Sequence, residues 1–369
     1  MYNLAQNGYR HEEVLKMLKT HRKIKFEYDF LSNSEQYIRS VSSCSGTVSY
    51  NSEAEIMGTL QIQFSRNEVP ELDKHVDMRV IPKMSVWSPK GWLPYQLGIY
   101  IMTTPTKNKD NSVITVDATC YDYGVVLQQD CVTDRYFVAA GTNYISAVRS
   151  LLTSAGIYKI NISNVDAAIG EDIEYEIGTS KLTIINELLA AVNYTPIHFD
   201  NTGFAISERY IEPMGRSTDH SYSAGKDSII LPGGSQSNDV YDIPNVIVRY
   251  CDSPDNEETI YSQYINNNPA SPLSTVSRGR NIVDVESVEN IADQDTLDAY
   301  TRRVAIEKYQ ITDTIAISTA LMPNHGYQDC VFIDNPDFGY SNKYVEYAWS
   351  MPLQVGGAMT HDLRKVVQI

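Results

Sequence analysis

Polar and apolar residues alternate with a period of two along much of this chain, which is the pattern of β-strands that bury one face. In residues 23–30 one face carries four apolar side chains: Ile24, Phe26, Tyr28 and Phe30. The same alternation recurs in residues 60–65 and 114–120, with glycine- or proline-bearing turns between such segments. This pattern predicts a small antiparallel barrel or sandwich over residues 23–128.

In two segments of the first half of the chain, apolar residues recur with helical spacing instead of alternating. Residues 8–20 predict a short N-terminal helix. A second helix is predicted to begin at a cap formed by Thr142 or Asn143 and to end at Gly156, which can adopt a left-handed conformation. Residues 197–206 read as a β-hairpin around a polar turn.

Two further helices are predicted from their caps. Thr179 or Ser180 precedes an apolar run of helical period, and Asp293 or Asp295 precedes a helix of about 294–309. Strands return in the last third of the chain, and they flank a polar loop over residues 266–280. The predicted strands there are 246–250, 258–265, 314–321, 330–333, 343–349 and 363–369.

The predicted fold class is therefore β-rich α+β, with two tube-like antiparallel β-barrel domains flanking a small α+β insert. Four segments follow from the change of period: an N-terminal helix (1–22), a first β-barrel domain (23–128), an α+β insert domain (129–212), and a second β-barrel domain with one helix (213–369).

Composition supports a folded protein that is not a nucleic-acid binder. Hydrophobic residues make up 42% of the 369 residues, and 26 tyrosines against eight phenylalanines suit half-exposed sheets and interfaces. The formal charge of −16 opposes specific nucleic-acid binding, because phosphate recognition requires clustered lysine and arginine. An acidic surface instead suits solubility, or a wall beside a passing genome.

The five cysteines predict neither a disulfide framework nor a zinc site. They are scattered, odd in number and lack a C-x-x-C pair: Cys44, Cys120, Cys131, Cys251 and Cys330. The start of the chain lacks a signal-peptide pattern, and no apolar run approaches the roughly 18 residues of a membrane span. We expect assembly in a cytoplasm and no membrane span.

Three partial motifs of catalytic families are incomplete. His11-Glu12-Glu13-Val14-Leu15 lacks the second histidine of a zinc-protease helix. Gly225-Lys226 resembles the end of a phosphate loop, but His220 stands where the earlier glycine belongs and Asp227 replaces the magnesium-binding hydroxyl. Ser223 and Lys226 match a short S-x-x-K pattern that chance produces often.

Other candidate residues also favour structural roles. Asp293 and Asp295 are better read as helix caps than as a catalytic pair, and 46 acidic residues make pairs such as Glu257/Glu258 common. The seven histidines are not expected to cluster, and His325 is read as a turn residue and not as a catalytic base. The segment 278–280 (Arg-Gly-Arg) is read as a solvated basic loop. We therefore predict a non-enzymatic protein with no catalytic, cofactor-binding or metal-binding residues.

Several blocks in a fixed order carry a resemblance to a known family. They are 95–100 (YQLGIY), 118–134 (ATCYDYGVVLQQDCVTD), 140–156 (AGTNYISAVRSLLTSAG), 172–193 (DIEYEIGTSKLTIINELLAAVN) and 291–323. This run resembles bacteriophage tail-tip hub proteins of Gram-positive hosts. The family includes the baseplate hubs of contractile tails, the N-terminal part of tail-associated proteins of long non-contractile tails, and the N-terminal part of type VI secretion spike proteins.

The resemblance implies a homotrimer in which each subunit carries two tube-like barrels, so that three subunits form a pseudo-sixfold adaptor. Such an adaptor connects a hexameric tail tube or distal tail protein to a central spike or fibre at the tail tip of the virion. Many relatives continue into a hydrolase or fibre, whereas this sequence ends at Ile369, so a separate spike, fibre or tail lysin is the expected partner.

Two alternatives remain at this point. The chain could be a peptidoglycan-degrading tail enzyme with acids that converge from distant strands. It could also be a host-glycan-binding tail module, which the high tyrosine count suggests.

Overall fold

A computed structural model describes most of the chain as strands with a smaller number of helices. The described residues are 2–111, 113–225, 228–238, 240–251, 260–288, 291–336 and 339–367. Within these ranges there are six α-helices: α1 (His11–Lys19), α2 (Gly124–Gln129), α3 (Tyr144–Ser154), α4 (Lys181–Ala190), α5 (Thr275–Arg278) and α6 (Gln294–Gln310). Three short 3₁₀ helices lie at Arg66–Glu68, Pro70–Lys74 and Pro213–Gly215.

The first eight strands form most of the N-terminal part. They are β1 (Ile24–Leu31), β2 (Tyr37–Val41), β3 (Ser45–Asn51), β4 (Gly58–Ser65), β5 (Arg79–Ser88), β6 (Gly91–Gln96), β7 (Tyr100–Asp110) and β8 (Val113–Tyr121). Five short strands belong to the middle part: β9 (Tyr136–Val138), β10 (Ile160–Ile162), β11 (Ile173–Tyr175), β12 (His198–Phe199) and β13 (Ala205–Ser207).

The remaining described strands belong to the C-terminal part. They are β14 (His220–Ser223), β15 (Ser235–Ser237), β16 (Val246–Cys251), β17 (Ile260–Ile265), β18 (Val283–Ser287), β19 (Thr314–Ala320), β20 (Cys330–Asn335), β21 (Tyr340–Pro352) and β22 (Ala358–Lys365).

One 14-stranded sheet joins the two ends of the chain. Its main path is β15-β19-β22-β21-β3-β4-β8-β7-β5-β1-β2, with β6 added on β5, β20 on β21 and β14 on β20. All of these neighbours are antiparallel except β14 and β20. Among the described strands this path does not return to its start, so the chain by itself forms an open sheet and no closed barrel.

The strand pair β3–β21 is the junction between the N-terminal and C-terminal strands. It is antiparallel, and its register runs from Asn51 opposite Ala348 to Thr47 opposite Pro352. The hydroxyls of Ser49 and Ser350 also hydrogen bond across it at 2.9 Å. Backbone hydrogen bonds therefore fix the two β regions relative to each other.

Three smaller sheets are separate from the 14-stranded sheet. Strands β10, β13 and β12 form one, and β11 and β9 form another, both in the middle part of the chain. The third consists of β17, β16 and β18, with helix α6 packed against β16 and β17. Ile247 of β16 contacts Val304 and Ala305 of that helix in a small core of its own.

The large sheet and the middle part have separate apolar cores. The core of the large sheet includes residues from both ends of the chain, for example Phe30 and Leu60 together with Ile317 and Leu363. The core of the middle part is built mainly by the inner faces of α3 and α4, and it includes Ile101 of β7 and Ile99 just before that strand.

The local predictions of helices and strands are largely confirmed. Side chains at the predicted caps accept backbone N–H bonds: Asn143 from Ser146, Ser180 from Thr183, and Asp293 from Thr296. Gly156 has a φ of 81°, as predicted for a left-handed helix end. The β-rich α+β class is therefore confirmed.

Two local predictions need correction. The predicted loop 266–280 contains helix α5, which Ser274 caps and which ends at Gly279, where φ is 62°. The last strand begins at Ala358, earlier than predicted, and ends at Lys365, because its inward-facing residues already alternate from Met359. Residues 368 and 369 of that prediction lie outside the described residues.

Candidate functional site: a buried histidine and carboxylate network

The C-terminal strands carry a cluster of buried polar side chains where apolar ones are expected. In β22, His361 occupies an inward position between Met359 and Leu363, and it is 1% exposed. In β21, Glu346 lies in the same interior, also 1% exposed. A lone buried carboxylate is costly, so its hydrogen-bond partners decide whether the arrangement is stable.

Glu346 joins two imidazoles. Its Oε2 atom lies 2.5 Å from Nδ1 of His325, and its Oε1 atom lies 2.5 Å from Nδ1 of His361. The opposite nitrogen of each ring meets a hydroxyl: Nε2 of His325 is 2.6 Å from Tyr222, and Nε2 of His361 is 2.7 Å from Thr319. One carboxylate thus links β14, β19, β21, β22 and the loop before β20.

A second carboxylate extends the same network. Asp329 Oδ2 lies 2.9 Å from Nε2 of His220 and accepts a 2.9 Å bond from the backbone N–H of Gly326. Asn324 lies 3.4 Å from the other nitrogen of His220. The His220 and His325 rings stack with centroids 4.0 Å apart. The groups around Asp329 and the groups around Glu346 are therefore in contact and form one network.

Burial and hydrogen bonding set the charges in this network. Burial lowers the pKa of His325 to about 4, so its ring is neutral at pH 7. Burial opposes ionisation of Glu346, but its contacts with His325 and His361 lower its pKa to about 2. Asp329 likewise keeps a pKa below its ordinary value, because its bond to His220 outweighs burial.

Parts of this network have the residue types that bind metal ions. Two sets bring ligand atoms within 4.8 Å of one another: His220, His325 and Asp329, and then His325, Glu346 and His361. However, each ring nitrogen of the three histidines already has a protein partner, and the Glu346 oxygens point to two different rings. The geometry fits a hydrogen-bond network that cross-links strands better than a site converging on one ion.

A cavity of about 400 Å³ lies next to this network, where the N-terminal, middle and C-terminal parts meet. His325 and Asp329 form part of its wall. On another side lies Asp122, whose carboxylate accepts backbone N–H bonds from Gly58 at 2.7 Å and Gly124 at 2.8 Å. Burial raises the pKa of Asp122 to about 6 in spite of these bonds.

Among the described residues that the three partial motifs specify, only His220, which stands at the first position of the phosphate-loop pattern, belongs to this network. His11, Glu12 and Glu13 begin helix α1, where the Glu13 side chain accepts the backbone N–H of Arg10 at 2.7 Å. Ser223 ends strand β14. Lys226 and Asp227 of the phosphate-loop motif, and the pair Glu257/Glu258, lie outside the described residues.

The remaining candidates have structural contacts. Asp293 caps helix α6, and Asp295 lies in its first turn. Arg278 ends helix α5 and donates to the backbone carbonyls of Val240 and Tyr241. The basic segment that was read as a loop is therefore tied to a neighbouring segment.

The expectation that the histidines do not cluster is wrong. Three of the seven histidines, at 220, 325 and 361, cluster in the interior, and His325 is 2% exposed and hydrogen bonded on both nitrogens. The network was missed because its members are far apart in the sequence. One sign of the network is present in the strand alternation, because His220 and His361 each occupy a position whose side chain faces the interior.

No protein-family model matches the sequence, and neither does any curated protein sequence. Among the described residues, no helix is both long and apolar enough to cross a membrane. Identification therefore depends on the fold.

Solved structures do match the fold over nearly the whole chain. A tail protein from Neisseria meningitidis MC58 is similar with a TM-score of 0.65 at 9% identity, covering 93% of this chain and 97% of that one. The 43 kDa tail protein of prophage MuSo2 from Shewanella oneidensis is similar with a TM-score of 0.63 at 10% identity, covering 93% and 98%. A chain of the Francisella PdpA–VgrG complex gives 0.53 at 7% identity, covering 96% and 60%. This chain thus has the fold that phage tail proteins share with a VgrG-complex chain.

Proposed function

We propose that the chain is a structural hub of a phage tail, acting as a homotrimeric pseudo-sixfold adaptor. The observation that carries this proposal is the fold similarity to two phage tail proteins over 93% of the chain. In this proposal the trimer connects a hexameric tail tube or distal tail protein to a central spike, fibre or tail lysin at the tip of the virion.

The junction between β3 and β21 supports such a role. A threefold object mimics sixfold symmetry when each copy presents two similar modules in a fixed relation. We infer that residues 23–128 and 213–369 are these modules, with the insert 129–212 between them, and that they become barrel-like in the assembled ring. Hydrogen bonds between β3 and β21 hold the two modules together in each copy.

A structural role also agrees with the chemistry of the buried network. A general base must reach a substrate, but both nitrogens of His325 and of His361 contact protein groups in the interior. We therefore assign the network to holding the C-terminal strands together, and we propose that the chain is not an enzyme.

Electron microscopy of the assembled tail tip tests this function. The chain is co-expressed with the tail tube and distal tail proteins of the same phage, and complexes are imaged along their axis. We expect three copies that form a ring with six peripheral modules against a hexameric partner. A ring of a different copy number, or a failure to join either partner, would refute the adaptor role.

Zymography on host cell wall tests the enzymatic alternative. We expect no clearing by the purified chain. Clearing that is lost in both Asp329→Asn and Asp122→Asn variants would contradict a structural assignment, because these two buried carboxylates line the cavity of about 400 Å³.

A further inference from the structure

The solvent side of strands β1, β5 and β6 carries two neighbouring tryptophans, an exposed Trp87 and a half-buried Trp92. Trp87 is 49% exposed, and its ring meets that of Trp92 edge to face with centroids 5.3 Å apart. The strands place them together, because Trp87 and Trp92 are direct partners in the β5–β6 pair. Two of the three tryptophans in the chain therefore share one surface. We call this surface, with Lys23 and Lys25, the tryptophan face.

Lysines lie over both indole rings. Nζ of Lys23 is 6.0 Å from the centroid of Trp87 and 5.7 Å from that of Trp92, and Nζ of Lys25 is 5.1 Å from that of Trp92. Such cation–π contacts occupy the ring faces that a sugar would stack on. A glycan is therefore a poor occupant, whereas a carboxylate that meets the ammonium groups is a good one.

The tryptophan face is basic on an acidic protein. The cations on and beside it are Lys23, Lys25, Lys83, Lys90 and Arg10. The carboxylates among them are Glu27, paired with Lys25, Asp29, paired with Lys83, and Glu13, which is paired with Arg10 and lies near Lys90. The five cations outnumber the three carboxylates here, although the whole chain carries −16. Complementary charge directs such a surface to an acidic protein surface, and buried tryptophans commonly supply much of the binding energy.

We propose that the tryptophan face is a subunit interface, covered by the acidic surface of a second copy of this chain. This inference rests on the proposed homotrimer. In a ring each copy presents two different surfaces, so the basic face of one copy meets an acidic surface of the next. The charge of this face thus fits a closed ring.

Light scattering over a concentration series tests the interface. We expect the wild-type chain to reach the mass of three copies. Lys23→Glu/Lys25→Glu should raise the concentration of half-assembly by about tenfold or more. The control, Lys74→Glu/Lys109→Glu, makes the same charge change at two exposed lysines on other parts of the surface and should assemble like wild type.

Tryptophan fluorescence supplies a second, local measurement. Trp349 is buried at 6% exposure, so acrylamide quenching of the wild-type chain reports mainly on the exposed Trp87 and the half-buried Trp92. Quenching should fall as the trimer forms. In Trp87→Phe/Trp92→Phe the remaining signal comes from Trp349 and should not depend on concentration. Far-UV circular dichroism of each variant checks that it is folded.

Each result decides between named outcomes. A lysine-reversal variant that assembles like wild type, or quenching that is unchanged on assembly, would place the interface elsewhere and leave the hub function standing. A chain that stays monomeric at high concentration would refute the second copy as the partner that covers this face. The hub function would not be decided by that result, because electron microscopy with the tube protein tests it independently. Protection of the tryptophans by muropeptides at low protein concentration would replace this proposal with glycan binding.

Discussion

The N-terminal and C-terminal strands of the large sheet are stabilised by different chemistry. Strands β1 to β8 bury mostly apolar rings and branched chains, and Phe30 packs edge to face on Phe64 at 5.2 Å. Strands β14 and β19 to β22 bury the histidine and carboxylate network as well. Apolar packing does not depend on pH, whereas a buried titratable network does. The two halves of one sheet should therefore respond differently to acid.

The largest loss of stability is expected from a substitution that leaves an empty space in the core of the N-terminal strands. Phe64→Ala removes a ring that is 2% exposed and should lower the free energy of unfolding by about 4 kcal/mol. Urea unfolding measured at pH 7 and at pH 5 should give the same loss. The matched control is Phe137→Ala, since Phe137 is 58% exposed and should change little. A loss that differs strongly between the two pH values would weaken the contrast between the halves.

Acid should destabilise the C-terminal half by a somewhat smaller amount. His325 has a folded pKa of about 4, below the unfolded value of about 6.5, so the unfolded chain binds a proton that the folded chain does not. Stability contributed by this group is therefore present at neutral pH and falls as the pH drops from about 6.5 to 4, by roughly 3 kcal/mol. His198, whose pKa burial also lowers to about 4, acts in the same direction.

The variant His325→Gln isolates the contribution of His325 to the pH dependence of stability. It should be less stable than wild type at pH 7, but its free energy of unfolding should fall less steeply between pH 6.5 and 4. Chemical unfolding at four or five pH values measures this slope. An unchanged slope would mean that His325 is protonated in the folded protein, contrary to its assignment here.

Removing a helix cap outside the large sheet should lower the free energy of unfolding by about 1 kcal/mol. Asp293→Ala removes the carboxylate that accepts the Thr296 N–H at 2.7 Å, and the expected loss is about 1 kcal/mol in thermal or urea unfolding. Asp293→Asn keeps an acceptor and should recover most of it. If both variants lose the same amount, the carboxylate charge and not the cap bond is responsible.

The smallest effect is expected at an ion pair that bridges the two halves. Arg364 of β22 donates two 2.7 Å bonds to Glu53, which lies between β3 and β4. Because the Glu53 side chain is 50% exposed, Glu53→Gln should cost only about 0.5 kcal/mol. That difference should shrink further in 1 M salt, and a salt-independent loss would indicate packing instead of charge.

The sequence predicts local structure well where a single segment contains the whole signal. The caps at Asn143, Ser180 and Asp293 and the alternation in β1 and β4 need no information from elsewhere in the chain. The junction between β3 and β21 was not predicted, because strand alternation identifies a buried face but does not identify a partner.

The buried network was missed for a related reason. His220, His325 and His361 each look unremarkable in their own segment, and only the fold brings them to one carboxylate. A polar residue at an inward position of a strand is the single-sequence sign that such a partner exists. Glu346 gave a weaker sign, since a register shift in β21 begins at this residue and disturbs the alternation.

The junction between β3 and β21 also has a consequence for biosynthesis. Ser49 and Ser350, which face each other across it, are 301 residues apart. During translation, strand β3 emerges long before its partner and presents an unpaired edge on the ribosome, where other chains can add to it. The N-terminal strands should therefore be the segment most in need of chaperone protection until β21 has emerged.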